Sequence, residues 1–259
     1  ALTVLSELLA GSLEDASKRR EFRPYAQVEA EALARAAAID ALAALAPSDR
    51  IRVIAEVKRA SPSRGLLADI PEPAALAAQY EAGGASAVSV LTEERKFRGS
   101  LADLEAVRKA ISLPVLRKDF IGEEYQVLEA RAAGADLVLL IVAALPQETL
   151  VRLHTLVREL GMTPLVETHS ADEVARAVDL GAELVGVNAR NLSTFELDRD
   201  LFGRVADQIP AGVIRVAESA VLGVEDVVHY RDAGADVVLV GEALVTNDPI
   251  ATLAGFLSV

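Results

Sequence analysis

No cysteine occurs among the 259 residues. That excludes disulfides, thiolate metal sites and a cysteine nucleophile. No run of eighteen apolar residues is free of charge, so no transmembrane span is expected. The stretch "ALTVLSELLAGSLEDASKRR" has no basic segment ahead of an apolar one, and it does not read as a secretory signal. Together these absences point to the cytoplasm and away from membranes. Positive charge is also scarce: 26 basic residues face 39 acidic ones, a net charge of -13. Such a balance argues against a general nucleic-acid surface. An anionic ligand would need a few cations gathered locally inside an acidic body.

What is present has a rhythm. The hydrophobic content of 52% suffices for one large core or two modest domains. Short β-rich runs recur at residues 51–57, 87–91, 114–116, 137–142, 164–166, 184–187, 213–216 and 237–240. Amphipathic stretches such as "ETLVRLHTLVREL" and "ADEVARAVDL" separate most of them, as in βαβ units with a parallel sheet. The runs are almost continuously apolar, as strands covered on both faces should be.

A repeat sharpens this pattern. "GGASAVSV", "AGADLVLL", "LGAELVGV" and "AGADVVLV" are four versions of one helix-to-strand junction. Ala85, Ala135, Ala182 and Ala235 mark them, at a period of about 50 residues, and glycine ends each preceding helix. One βαβα pair fills each period, so four copies give eight strands and a (β/α)8 TIM barrel over residues 49–259. A doubly wound open sheet is the alternative, but no G-x-G-x-x-G turn follows the first strand. Residues 1–48 stand outside the rhythm. Val4, Leu5, Leu8, Leu9 and Leu13 follow a helical stripe, and "AEALARAAAIDALAAL" reads as a second, Ala-rich helix. This N-terminal helical extension is expected to pack on the barrel and cap its catalytic mouth.

The first strand, "RVIAEVKRASPSRG", carries two opposite charges. Alternation puts Ile54, Glu56 and Lys58 on one face, pointing into the barrel. A structural Glu–Lys pair is one reading of that strand. Other strand ends add weight to a functional one: Lys118 follows Leu116 in phase, and Glu167, Asn188 and Glu218 end later apolar runs. These residues share the C-terminal rim, where barrel enzymes place their chemistry. Two lysines and several glutamates around an apolar well let a general acid and a general base coexist. Ser61, Ser219 and Gly241 follow strands one, seven and eight, and the loops after strands seven and eight are where such barrels commonly hold phosphate. Phe97, Phe120, Leu192 and Phe195 could line a pocket for a ring, or could equally be loop packing.

Six ordered segments, "VIAEVKRASPSRG", "VLRKDFIGEEYQV", "LVETHS", "GVNARNLSTFELD", "VAESAV" and "VLVGEALV", resemble the signature of the indole-3-glycerol-phosphate synthases. The extension is similar to that family's additional helices. The resemblance implies ring closure of 1-(2-carboxyphenylamino)-1-deoxyribulose 5-phosphate with loss of carbon dioxide and water, without metal or organic cofactor. It assigns Lys118 as general acid toward the substrate carbonyl, with Glu167 and Lys58 as the acid–base pair for loss of water. Glu56, Asn188 and Glu218 would orient these groups. Arg190 would help hold the substrate, Ser61, Ser219 and the Ala220 and Gly241 amides the phosphate, and Phe97, Phe120 and Leu192 the anthranilate ring. A small phosphorylated substrate and a monomeric chain are expected.

Two departures matter. Ala220 stands where the family often has glycine, and it suits that place only if the backbone needs no positive φ. Glu242 would bring a carboxylate beside phosphate, so its side chain is expected to turn outward, leaving its N–H toward the ligand. His154 and His229 fall in helical patterns and read as surface residues, while His169 sits near the rim without an assigned role. Two rival readings remain. Phosphoribosylanthranilate isomerase would be expected to use a Cys/Asp pair, and a non-catalytic phosphosugar-binding barrel would not need both lysines and Glu167.

Overall fold

A computed structural model describes residues 3–259 of the chain. Eight parallel strands close into a barrel: β1 (Arg52–Val57), β2 (Ala87–Leu91), β3 (Val115–Lys118), β4 (Leu137–Ile141), β5 (Thr163–Thr168), β6 (Leu184–Asn188), β7 (Ile214–Glu218) and β8 (Val237–Val240). Each pairs with its sequence neighbours, and β8 closes on β1. Around them run α4 (Pro73–Ala82), α5 (Leu101–Ala110), α6 (Glu124–Ala133), α7 (Gln147–Glu159), α8 (Ala171–Asp179), α9 (Leu201–Val205), α10 (Val224–Asp232), α11 (Glu242–Val245) and α12 (Pro249–Phe256). The repeated junctions work as their sequence suggests. Gly134 and Gly234, at φ of 101° and 106°, turn the chain where a side chain would be strained, and Ala135 and Ala235 bury beneath the turn.

Strand pairing stacks the barrel's interior in layers of four. Following the register, each step across two strands lifts the matching position by two residues, giving the shear typical of this barrel. One layer from the odd strands is Ile54, Leu116, Leu165 and Val216, wholly apolar and buried. Above it the even strands contribute Ser89, Leu139, Gly186 and Leu239. The next odd layer is Glu56, Lys118, Glu167 and Glu218. The core therefore changes from hydrocarbon to ionisable groups over two layers, always toward the C-terminal ends of the strands.

The extension divides its work between the barrel's ends. Helix α1 (Val4–Phe22) adds Leu5 and Leu8 to the apolar cluster inside the barrel, and Leu8 stands at the mouth beside the space that Phe120 and Ile141 also line. Ser12 Oγ donates to Asp119 Oδ1 at 2.8 Å, and Arg19 grips Glu129 of α6 at 2.6 and 2.9 Å. Behind them Arg117 is fully buried in the helix layer, 3.3 Å from Asp119 and 3.7 Å from Glu129. A buried guanidinium needs such partners, because leaving it unpaired costs several kcal/mol.

The expected second helix is shorter than its alanine content suggests. Helix α2 (Tyr25–Ala34) packs along α6 and ends where residues 35–40 run extended. Ile39 N–H donates to Asp136 Oδ1 at 2.8 Å, and Asp40 caps a one-turn helix, α3 (Ala41–Ala44). Ala41 and Leu45 bury at the N-terminal ends of the strands, opposite the mouth. Of these helices only α1 covers the mouth; tertiary hydrogen bonds outweighed helix propensity.

His154 is a further correction. It falls on the same face of α7 as Leu150, Leu153 and Val157 and is buried, not on the surface. Burial, then the nearby Arg158, holds its pKa down at about 4. His229 stays half-exposed on α10, 3.3 Å from Asp200.

Candidate active site

The ionisable layer floors a cavity of about 330 Å³ that opens at the mouth. Every candidate residue read from the sequence lines it, from Glu56 and Lys58 on the β1 side to Gly241 and Glu242 after β8. Leu8 of α1, and Leu91, Leu139, Ile141 and Leu239 from the strands, add apolar wall to it. These apolar residues went unassigned because nothing local distinguishes a cavity leucine from a core leucine.

On one wall both lysines share a single carboxylate. Lys118 Nζ donates to Glu56 Oε2 at 3.0 Å, and Lys58 Nζ lies 3.8 Å from Glu56 Oε1. Ser89 Oγ, one layer down, donates to Glu56 Oε2 at 2.7 Å. Burial alone would raise the Glu56 pKa, but Lys118, Lys58 and this hydroxyl outweigh it and keep Glu56 ionised. The lysines diverge. Burial favours loss of the proton from both, yet Glu56, Glu218 and Glu167 around Lys118 reverse that, so its pKa rises above the ordinary lysine value. For Lys58 burial prevails over Glu56, and Lys118 adds repulsion, so its pKa falls.

The opposite wall holds a pair of glutamates. Asn188 Nδ2 donates to Glu167 Oε1 at 3.1 Å, while Asn188 Oδ1 accepts from Ser219 Oγ at 2.7 Å and from the Arg190 N–H at 2.9 Å. One amide thus links the β5 carboxylate to the loop after β7. No donor outside the pair reaches Glu167 Oε2 or either Glu218 oxygen, and the two carboxyls share a hydrogen bond with each other. Burial and the Glu167 charge hold Glu218 well above the usual carboxylate range. Burial pushes Glu167 the same way, but contacts led by His169 bring it down to about 2. Two carboxylates of one layer are therefore set apart in proton affinity by their neighbours. Gly186 makes room for this pair, since a methyl group there would collide with the Glu218 carboxylate.

The remaining candidates surround this layer. Phe97 and Phe120 form a tilted pair with centroids 6.0 Å apart, and Leu192 packs in the same apolar cluster. Arg190 Nη1 donates to the Phe195 carbonyl at 2.8 Å. Ser61 Oγ accepts the Arg64 N–H at 3.2 Å within the loop after β1, which lines the cavity together with the loops after β7 and β8. Glu242 meets Arg64 Nη2 at 3.0 Å, so the carboxylate at the cradle is paired with a cation rather than simply turned to solvent.

Ala220 does adopt the left-handed conformation, at φ 59°, and Ser219 precedes it at φ 71°. The condition under which alanine would be unstrained is not met. A non-glycine residue there costs about 1–2 kcal/mol, partly offset because alanine restricts the unfolded chain. Ala220→Gly is expected to stabilise the fold by about 0.5–1 kcal/mol, seen as a melting midpoint raised by about 1–3 °C. A lowered midpoint would mean that the methyl group contributes packing greater than this strain.

The fold and the cavity define a (β/α)8-barrel enzyme built for acid–base chemistry at its C-terminal mouth. Residues 5–254 match the family model described as indole-3-glycerol phosphate synthase. The chain is 71% identical over 253 residues to an indole-3-glycerol phosphate synthase of Leifsonia xyli subsp. xyli, covering 98% of this chain and 97% of the relative. It is 60% identical over 246 residues to one from Beutenbergia cavernae, covering 95% and 91%. Among solved structures, an N-acetylmannosamine-6-phosphate 2-epimerase from Clostridium perfringens superposes with a TM-score of 0.59 over 77% of this chain and 90% of that chain, at 14% identity. That likeness shows the fold alone. The chain belongs to the indole-3-glycerol phosphate synthase family.

Proposed function

We propose that this protein is a carboxy-lyase that closes the indole ring, converting 1-(2-carboxyphenylamino)-1-deoxyribulose 5-phosphate to indole-3-glycerol phosphate, carbon dioxide and water. The observation that carries the reading is the divided site: Lys118 in the ionisable layer and Lys58 just above it, both on Glu56, face a glutamate pair of split proton affinity. Lys118 Nζ hydrogen-bonds the substrate carbonyl oxygen and gives it a proton as the ring carbon bearing the carboxylate attacks. A carbon–carbon bond forms, and carbon dioxide then leaves with its bonding electrons retained by the ring. The new hydroxyl departs as water. Lys58, whose pKa is lowered, donates to it, while Glu167 takes the proton whose loss completes the indole.

Glu56 holds both lysines, and Asn188 and Glu218 orient Glu167 and the sugar hydroxyls. Arg190 helps hold the substrate. Ser61, Ser219 and the Ala220, Gly241 and Glu242 amides hold the phosphate. Phe97, Phe120 and Leu192 hold the anthranilate ring. In a chain of net charge -13, Lys58, Lys118, Arg64 and Arg190 gather the cations that an anionic substrate needs. Residues 1–48 form the extension and 49–259 the catalytic barrel. No described helix is long and apolar enough to cross a membrane. We place the chain in the cytoplasm as a monomer, without nucleic-acid or membrane partners.

Turnover of the carboxyphenylamino substrate, read by indole fluorescence, tests this reading. The chain has no tryptophan, so its own indole background is absent. Tight binding without turnover would overturn it in favour of a phosphosugar-binding barrel. Inorganic phosphate is expected to inhibit competitively. Ser219→Asp is expected to raise KM strongly while the fold persists, because aspartate tolerates the left-handed backbone. An unchanged KM would remove this loop from the site.

A further inference from the structure

His169 stands two residues beyond Glu167 and is not among the residues lining the cavity. Its ring is largely buried between two carboxylates. Nε2 lies 3.1 Å from Glu167 Oε1, and Nδ1 lies 3.2 Å from Glu173 Oε1. Its backbone N–H donates to the same Glu173 oxygen at 3.0 Å. Glu173 is itself anchored, since its backbone N–H donates to Ser170 Oγ, the N-cap of α8, at 3.2 Å. A carboxylate–imidazole–carboxylate chain thus runs from the end of β5 to the first turn of α8. Nε2 approaches Glu167 as an ionic contact off the hydrogen-bond line, while Asn188 holds the same oxygen. Glu167 Oε2 is left buried beside the cavity with no donor outside the glutamate pair.

Resting on the reading of Glu167 as the base, we propose that His169 is its positioning residue: an imidazolium anchored by Glu173 that keeps Glu167 ionised and, with Asn188, pins Oε1 so that Oε2 alone meets the substrate. The charge state fits the geometry. Burial disfavours the cation, but Glu167 and Glu173 outweigh it and push the His169 pKa up to about 9. The other groups facing Glu167 are Lys118 from β3, which favours its charge, and Glu218 from β7, which shares its environment. Glu56 on β1 lies beyond Lys118. Without His169, burial acts on Glu167 with the Glu218 hydrogen bond and the Lys118 charge left to oppose it.

The sign follows directly. Glu167 is depressed in the folded protein, so losing its cation raises its pKa, and the acid limb of kcat/KM moves to higher pH. For both His169→Gln and His169→Ala the limb is expected to rise by about one pH unit or more, the effect of one charge at this distance. At neutral pH kcat is expected to fall on the order of 10- to 100-fold through lost alignment, with KM little changed. Glu173→Gln, which leaves the ring in place, is expected to move the limb the same way by less.

A second measurement does not depend on turnover. In ¹⁵N-histidine NMR of the full chain, with His169→Gln giving the assignment, His169 is expected to remain an imidazolium through pH 8. Its pKa is expected to fall in Glu167→Gln. A neutral His169 ring at pH 7, or one indifferent to Glu167→Gln, overturns the proposal, as does an unmoved acid limb in all three variants. If Glu167→Gln is inactive while the His169 variants match the wild type, this proposal fails and the catalytic reading stands. If Glu167→Gln keeps full activity, the catalytic reading fails, and the NMR titration still reports whether the ion pair exists.

Discussion

Lys118→Ala is expected to lower kcat by at least 10²- to 10⁴-fold, the range that general acid catalysis supplies. The layer explains why the loss should reach the top of that range. Lys118 is the cation that Glu56, Glu167 and Glu218 all face, and it hydrogen-bonds Glu56 at 3.0 Å. Its removal deletes the proton donor and leaves Glu56 with the Ser89 hydroxyl and one charged partner, Lys58, 3.8 Å away. Lys58 would be drawn into structural duty on Glu56. KM should rise as well, since a cation available to orient the substrate carboxylate is gone. Kinetics and a melting curve on the same preparation separate lost chemistry from lost fold, because uncompensated buried charge also destabilises. If the variant keeps more than about a tenth of wild-type kcat, less than acid catalysis normally supplies, the carbonyl acid is not Lys118 and Lys58 becomes the candidate.

Glu167→Gln is expected to lower kcat by about 10²- to 10⁴-fold with KM little changed. The amide keeps the shape, and its oxygen can still accept from Asn188 Nδ2 as Glu167 Oε1 does at 3.1 Å. What disappears is the basic oxygen at Oε2, which no donor outside the glutamate pair reaches. A loss confined to the transition state leaves ground-state binding nearly intact. The acid limb of the pH profile should flatten in whatever activity remains, because the group that titrates on that side has been replaced. A variant with near wild-type kcat and an unchanged limb would show that another group removes the proton. Glu218, the other carboxylate of the pair, would be examined next.

Much of the site was legible because strand alternation is a local rule. Once Val53, Ala55 and Val57 were read as facing the helices, Glu56 and Lys58 had to face inward. The same counting aimed Lys118, Glu167 and Glu218 into the barrel. It could not rank them by height, and so it could not separate the level of Lys58 from that of Lys118. Ala220 was read as tolerable for its amide, because φ is set by where the loops after β7 and β8 must meet, not by the alanine. His154 was legible but misread: its spacing from Leu150 and Val157 places it on the buried stripe of α7. His169 was legible as a residue near the rim but not as a partner of Glu167, since Glu173 lies on the next helix and the contact with Glu167 depends on the turn at the end of β5.

By itself the sequence determined the eight-strand rhythm, the junctions that turn helix into strand, and the face on which each charged side chain falls. All follow from periods of two and 3.6 residues and from glycine's freedom at a turn, which operate within a few residues of chain. Only the tertiary structure decided that Glu56, Lys118, Glu167 and Glu218 share one layer, that Gly186 leaves room beneath Glu218, and that α1 and α3 seal opposite ends. Those features depend on the register accumulated around a closed sheet. Closure is a condition on all eight strands at once, and a side chain's proton affinity is set by whichever groups that closure brings against it.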